Sequence, residues 1–447
     1  MTPESASDNR SSFPLRREVY KDSYQGVTPP ECVQRNDIGR AWNQNFTNSG
    51  NEGNQNANNK DNTNNSVRPA RRLSHGAANL TITEVLQAYE DCRKNKRNNS
   101  TTLEFEHDFL PNLLRIFREI ENHTWKPSGH MCFAVRSPKV REVWASPFAD
   151  RVVHHVIYNR LRPRFEKDFI GTTFACIPGR GTGAAADWAE RSARKVTQHW
   201  SRTAYVLQVD IKNFFPSIDC YSLRDKLMTK VTEPWLAHLV NEIILVNVKD
   251  NAHFPGDPQE LNLVSKEKSL WTKPHGVGLP IGNLTSQFGA NVLLDELDQH
   301  MVRGDFARHY GRYVDDIVLL DSSKGKLEFA LAEIRSKLWQ MGHVLNEDKT
   351  YLAPVQNGFD FCGRFVLPYR SYMRKITRKR GNASIENLAA SSHPAETVTS
   401  YLGLARHCNG YRLRAKWTQR AHRYGLFCDP ALTKVSKEDW NHDACTC

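Results

Sequence analysis

From residue 1 to about residue 80 the apolar positions follow no period, and the stretch from Trp42 to Ser66 is nearly half asparagine. Such a segment buries too little apolar surface to offset the entropy of ordering it, so the sequence predicts a flexible arm. The pattern changes at Thr81. Ile82, Val85, Leu86 and Tyr89 recur at helical spacing, Thr81 and Glu84 stand as a capping box, and Leu80 can staple to Val85. The folded body is expected to begin there.

From residue 81 to 202, helical patterns alternate with loops rich in Lys and Arg, among them FAVRSPKVREVWASPFADRVVHH and CIPGRGTGAA. Between 203 and 366 the text changes to short β-branched and aromatic runs, AYVLQVDI, HYGRYVDDIVLLD and FDFCGRFVL, separated by amphipathic stretches such as LEFALAEIRSKLWQMG. In the helix expected after Gln287, Phe288, Val292, Leu293, Leu297 and Met301 read as core. After Leu367 the chain is strongly basic and reads mainly as helix, entered through YRSYMRKITRKR. The whole is an α+β pattern with four segments: 1–80, 81–202, 203–366 and 367–447.

Length and charge sharpen this picture. A chain of 447 residues can bury a substantial core, and Lys and Arg outnumber Asp and Glu by 61 to 49, which favours polyanionic partners. No apolar run reaches the roughly 18 residues of a membrane helix, and MTPESASDNR lacks the regions of a signal peptide, so a cytoplasmic protein without membrane contact is expected. Ten cysteines are scattered singly apart from the Cys445 and Cys447 pair, and read as reduced thiols, mostly core filler. His442, Cys445 and Cys447 lack a fourth metal ligand at usual spacing.

The sharpest chemical signal is Tyr313-Val314-Asp315-Asp316 between two β-forming runs, a hairpin that would hold charge at its tip. Alone it could be an ordinary acidic turn. Asp210, about a hundred residues upstream at the end of an apolar strand, changes the reading. Nucleotidyl transfer by two magnesium ions needs carboxylates from separate segments, one ion activating a 3′-hydroxyl and the other holding the triphosphate. Asp210 and Asp315 suit bridging both ions, Asp316 contributes to one ion or to charge balance, and the Ile211 carbonyl is a further candidate ligand. Lys212 and Asp219 read as structural, with Lys212 a candidate neutraliser beside the acidic cluster as the alternative.

VDIKNFFPSID, GLPIGNLTSQ, RYVDD, LNEDKT and GFDFCGRFV occur in the order and spacing of the motifs of reverse transcriptases, which the chain resembles over about residues 82–420. The resemblance implies a right-hand polymerase with helical fingers (81–202), a palm β-sheet with packed helices (203–366) and a basic helical thumb (367–447). It also implies two Mg2+ ions, with Mn2+ as a substitute, and as partners dNTPs, a template RNA and the RNA/DNA duplex. By position, Phe215 matches an aromatic that screens the sugar 2′ position, while Lys139, Arg141 and Arg180 match grips on the incoming triphosphate. Lys349 matches a lysine that protonates the leaving pyrophosphate, and its alternative is an ion pair with Glu347 or Asp348. Arg374, Arg378, Arg380, Arg412, Arg414 and Lys416 fall where the family thumb holds its duplex, interleaved with Tyr372, Tyr411 and Trp417.

Ile281 and Gln287 stand where most reverse transcriptases carry glutamine and proline. This form resembles the enzymes of diversity-generating retroelements, which copy a template RNA with errors at adenines and work with a small basic accessory protein. The asparagine-rich arm resembles the translated end of a variable gene in such elements; a plain linker is the alternative. Antiphage defence is the runner-up role, and a catalytically inactive RNA-binding scaffold is a further alternative.

Overall fold

The computed structural model describes residues 79–437, apart from 95, 97, 98, 137 and 138. The asparagine-rich arm and the cluster of His442, Cys445 and Cys447 lie outside the described residues. Order does set in where the apolar period starts. Helix α1 (Ile82–Arg93) opens on the expected capping box, with Thr81 Oγ1 accepting from the Glu84 amide at 3.3 Å and Glu84 Oε2 accepting from the Thr81 amide at 2.9 Å. Helices α2 (Ser100–His107) and α3 (Phe109–Glu121) follow.

One expectation needs correction here. FAVRSPKVREVWA is not a plain loop but the greater part of a hairpin, β1 (His130–Val135) against β2 (Arg141–Ala145). Its inward-facing side chains include Cys132, Val143 and Trp144. The basic residues that masked the alternation cluster at the turn.

Helix α4 (Phe148–Glu166) is the hub of the first half. Its Arg160 reaches Glu84 of α1 at 2.7 Å and Glu233 at 3.0 Å, while Arg164 binds Glu233 as well, at the start of α8 below. Burial opposes ionisation of Glu233, but Arg164 and the Thr232 amide hold its carboxyl down at about 2. Next come α5 (Thr182–Val196), β3 (Tyr205–Asp210), the short α6 (Phe214–Ser217), α7 (Cys220–Met228), α8 (Pro234–Ile244) and β4 (Ala252–His253). The long α9 (Leu284–Arg303), β5 (His309–Tyr313), β6 (Asp316–Asp321), α10 (Lys324–Gln340) and β7 (Tyr351–Pro354) complete the central layer.

The central antiparallel sheet runs in the order β5-β6-β3-β7. Alternate side chains of β3 and β6 enter two different cores, as a period of two requires. Leu207, Val209, Ile317 and Leu319 pack with Leu293 and Leu297 of α9 and Leu327 and Ile334 of α10. Val206, Val318 and Leu320 pack with Ala185, Ala189 and Ala193 of α5. The central strands are therefore covered on both faces. All five residues expected as core on α9 are buried.

A second sheet, β8 (Phe359–Phe361), β9 (Arg364–Leu367) and β10 (Arg370–Met373), leads to α11 (Lys375–Glu386), α12 (Pro394–Arg406) and α13 (Tyr411–His422). The entry YRSYM is thus a strand before it becomes helix. These helices share their own cluster around Trp417, which includes Ile385, Val398 and Leu402. A Cβ on Gly381 would stand 2.8 Å from the Trp417 ring, so the bare glycine lets α11 and α13 close on each other. Among the described residues Cys92, Cys132 and Cys220 are buried free thiols within the apolar clusters, Cys362, Cys408 and Cys428 are partly buried and pack against them, and Cys176 is partly buried outside them. No helix among the described residues is long and apolar enough to cross a membrane.

Candidate active site

The hairpin between β5 and β6 pairs Tyr313 with Asp316, leaving Val314 and Asp315 as a two-residue loop. Val314 takes a φ of 56°, a left-handed value at the first loop position that two-residue hairpins usually give to glycine. For a β-branched residue this costs on the order of 1–2 kcal/mol. Arg312 holds the turn in place: its Nη1 donates to the Val314 carbonyl at 3.0 Å and to Asn291 Oδ1 at 3.1 Å.

Arg312 is wholly buried, and so is the Asp298 that neutralises it through two bonds, Nε to Oδ1 at 2.8 Å and Nη2 to Oδ2 at 2.6 Å. Tyr310 and Thr173 hydroxyls donate to the same carboxylate, at 2.7 and 2.8 Å. Next to Arg312, Gly311 leaves room for Trp188, whose ring would stand 2.5 Å from any added Cβ.

Asp316 lies directly opposite Asp210 in the β3–β6 register, which sets their Cβ atoms about 4.5–5.5 Å apart. Asp315 joins them at the turn. Burial, then the neighbouring charges of Asp316 and Asp210, hold the Asp315 carboxyl above its ordinary range; Asp316 is exposed on its outer side, and the crowding of protein on its inner side, then Asp210, shift it the same way. Lys349 answers this charge: its Nζ lies 2.5 Å from Asp210 Oδ1, and Asn346 Nδ2 donates to the same oxygen at 3.0 Å. Lys349 does not pair with Glu347, which is taken by Arg335 at 2.7 Å. Lys212, the candidate neutraliser, is exposed instead, so Lys349 fills that place.

Residues 135–366 match the model of the family described as Reverse transcriptase (RNA-dependent DNA polymerase), a span of more than half the chain. The chain belongs to the reverse transcriptase family. It is an RNA-directed DNA polymerase, a nucleotidyltransferase that handles a nucleic-acid template and dNTPs. A search of curated proteins found no match.

Reverse transcriptases generally use divalent metal ions. The three carboxylates offer hard oxygen donors, and their mutual repulsion is the kind a divalent cation relieves. Among the described residues, however, no group of three His, Cys, Asp or Glu side chains converges on one point. Asp210 is turned toward Lys349 and Asn346. The donor set fits a metal on condition that Lys349 releases Asp210.

The other sequence-predicted positions of the reverse transcriptase divide into two groups. Lys139, Arg141 and Lys349 are close enough to repel one another, and Lys139 also feels Asp210 and Asp316; burial and then these cations lower its affinity for a proton. Arg374 adds its charge beside Asp316 and pairs with Asp360. Phe215 is half-buried against the fully buried Phe214, and Ile211 bridges to Leu345 across the sheet edge. The second group is otherwise engaged. Arg180 donates to the carbonyls of Ile170 and Thr173 at 2.9 and 2.8 Å, so it braces its own loop. Gln287 Oε1 accepts from the Cys176 thiol at 2.9 Å. Ile281 accepts from the Trp144 amide through its carbonyl at 2.9 Å.

On the C-terminal helices, Arg378, Arg412 and Lys416 are exposed, whereas Arg414 caps the carbonyls of Ala431 and Leu432 at 2.7 and 3.1 Å. Arg380 is partly buried and stands beside the Gly381 contact. Asp219 caps α7 by accepting from the Ser222 amide at 2.9 Å, the structural role expected of it. Sequence reasoning passed over Asn346, Arg312, Asp298 and Asn291. Asn346 was within reach, three residues before Lys349 in LNEDKT. The buried trio gave no signal, since its members are spread over two elements.

Proposed function

We propose that this reverse transcriptase makes DNA on an RNA template with two magnesium ions, held by Asp210, Asp315, Asp316 and the Ile211 carbonyl. The observation that carries this reading is the register that sets Asp210 opposite Asp316 beside the turn bearing Asp315. When bound, the metal supplies charge stabilisation to the attacking and leaving oxygens. Lys139 and Arg141 bind the triphosphate through charge-assisted bonds. Lys349, once free of Asp210, gives its proton to the leaving pyrophosphate. On this reading residues 81–202 are the fingers, 203–366 the palm and 367–447 the thumb, where Arg374, Arg378, Arg412 and Lys416 track the duplex backbone.

Phe215 screens the sugar. Phe215→Val should raise the use of ribonucleotides against deoxynucleotides on the order of 10- to 100-fold, measured as the ratio of kcat/KM values for the two. An unchanged ratio removes Phe215 from this role.

The biological role proposed is mutagenic copying in a diversity-generating retroelement, with a structured template RNA and a small basic accessory protein. It is supported by the form of the segment Ile281–Gln287. The Trp144 amide fixes the Ile281 backbone, so the difference from a glutamine-bearing enzyme lies in the side chain, which offers an incoming base no polar contact. Sequencing of the cDNA made on adenine-rich primed RNA is the test. Errors should gather opposite adenines, and Ile281→Gln should reduce them severalfold. Accurate product from the parent enzyme would move the role toward antiphage defence and leave the polymerase in place.

A further inference from the structure

At the end of β3 away from Asp210, four non-glycine residues with left-handed backbone come together. Gln198, His199 and Trp200 form an unbroken run with φ of 48°, 60° and 71°, and Tyr369, at the tip of the β9–β10 hairpin, has φ 64°. The rings of Trp200 and Tyr369 meet there, with centroids 6.1 Å apart. Left-handed backbone is costly for any residue with a Cβ and is ordinarily left to glycine, yet no glycine occurs between Thr197 and Thr203.

The run is also firmly pinned. The fully buried Thr197 donates from Oγ1 to the Ala193 carbonyl at 2.7 Å and accepts from the Trp200 amide at 3.0 Å. The His199 amide reaches the Arg194 carbonyl at 2.7 Å, and the Arg202 amide reaches the Thr197 carbonyl at 2.9 Å. The run lays Trp200, partly buried on the apolar cluster shared by α5 and the sheet, against Tyr369, which is 78% exposed.

Basic residues flank both rings along the chain. Arg194 donates from Nε to His199 Nδ1 at 3.0 Å, Arg202 is exposed beside the run, and Arg370 follows Tyr369 with its guanidinium 5.9 Å from the centre of the Tyr372 ring. Glu190, one turn before Arg194, lies 3.9 Å from Arg364. Strained backbone that is held by its surroundings tends to mark functional surface. Rings offering π faces, set among guanidinium groups, match a single nucleic-acid strand. The patch is separated from Asp210 by the length of β3, roughly 20 Å.

We propose that Trp200, Tyr369 and the flanking Arg194, Arg202 and Arg370 bind an unpaired segment of RNA outside the site of synthesis. The rings stack on bases and the arginines neutralise phosphates. This surface gives the enzyme a second hold on an RNA that it must already engage as template. The proposal rests on membership of the polymerase family and is independent of the mutagenic role.

The test uses the full chain with its site of synthesis filled by a short unlabelled primed duplex, while anisotropy follows a labelled, unstructured RNA of about 20 nucleotides. Combining Trp200→Ala with Tyr369→Ala should weaken RNA binding tenfold or more and leave extension of the short duplex unchanged. Combining Trp200→Phe with Tyr369→Phe keeps the rings and should restore most of the affinity, which guards against a folding artefact. Combining Arg202→Gln with Arg370→Gln should make the salt dependence of binding shallower by roughly one unit or more. RNA should bind at least as tightly as DNA of the same sequence. The proposal is overturned by undiminished RNA binding in the alanine variant, by a parallel loss of extension, or by a preference for DNA. Failure of the parent protein to extend the short duplex would instead strike at the polymerase assignment.

Discussion

Primer extension by a variant carrying both Asp315→Asn and Asp316→Asn should fall by about a thousandfold or more, while the protein stays folded and still binds primed RNA. The loss follows from removing charge that stabilises the transition state, where several kcal/mol correspond to a factor of this size. The sign of the stability change is opposite. Both carboxyls are held above their ordinary range by loss of surrounding water and by neighbouring negative charge, Asp315 the more so because Asp316 is exposed on its outer side. A group whose folded pKa is raised loses stability for the fold as pH rises and the group ionises. Asparagine removes that ionisation, so the variant should unfold at the same denaturant concentration as the parent at pH 7, or higher. Single-turnover extension and equilibrium unfolding, done side by side, check both halves. Retained synthesis would refute the assignment of these two residues.

The second large effect is expected at Arg312. Arg312→Met leaves Asp298 buried without its partner, which typically costs about 3–5 kcal/mol. Urea unfolding should show that loss. Adding Asp298→Leu removes the stranded charge and should return part of the stability, the rest staying lost because the Tyr310 and Thr173 hydroxyls no longer have their acceptor. Activity should not return with it. The Val314 carbonyl, next to the carboxylate turn, would still lack the donor that Arg312 supplies at 3.0 Å. If extension recovers in step with stability, Arg312 serves the core alone and the turn holds itself.

The contrast between these two sites explains what could be read from the sequence. Asp315 and Asp316 stand side by side between β-forming runs, and Asp210 ends another such run, so local pattern and chemistry agree. The start of order at Thr81 was legible for the same reason: a capping box and an apolar period lie within a few residues. Arg312 belongs to the same short motif but serves through Asp298 and Asn291, more than a turn of helix apart on α9. No spacing rule joins a strand to a helix that only the tertiary fold brings beside it. The β1–β2 hairpin was missed because its charged turn reads as loop at the scale of a short window. The partners of Arg180 and Gln287, two backbone carbonyls and a thiol, are invisible in a string of side chains.

The central sheet carries one further consequence. Its two inner strands bear the candidate carboxylates Asp210 and Asp316 at one end and are sealed by a separate apolar core on each face. Nothing local can give way there: bending β3 to move Asp210 would break two cores at once. The carboxylate framework is in this sense an all-or-nothing part of the molecule, as durable as the fold that contains it. Variation in what the enzyme copies, and how faithfully, is therefore expected in side chains outside the sheet, such as Ile281 and Phe215, on a chassis that leaves the carboxylates in place.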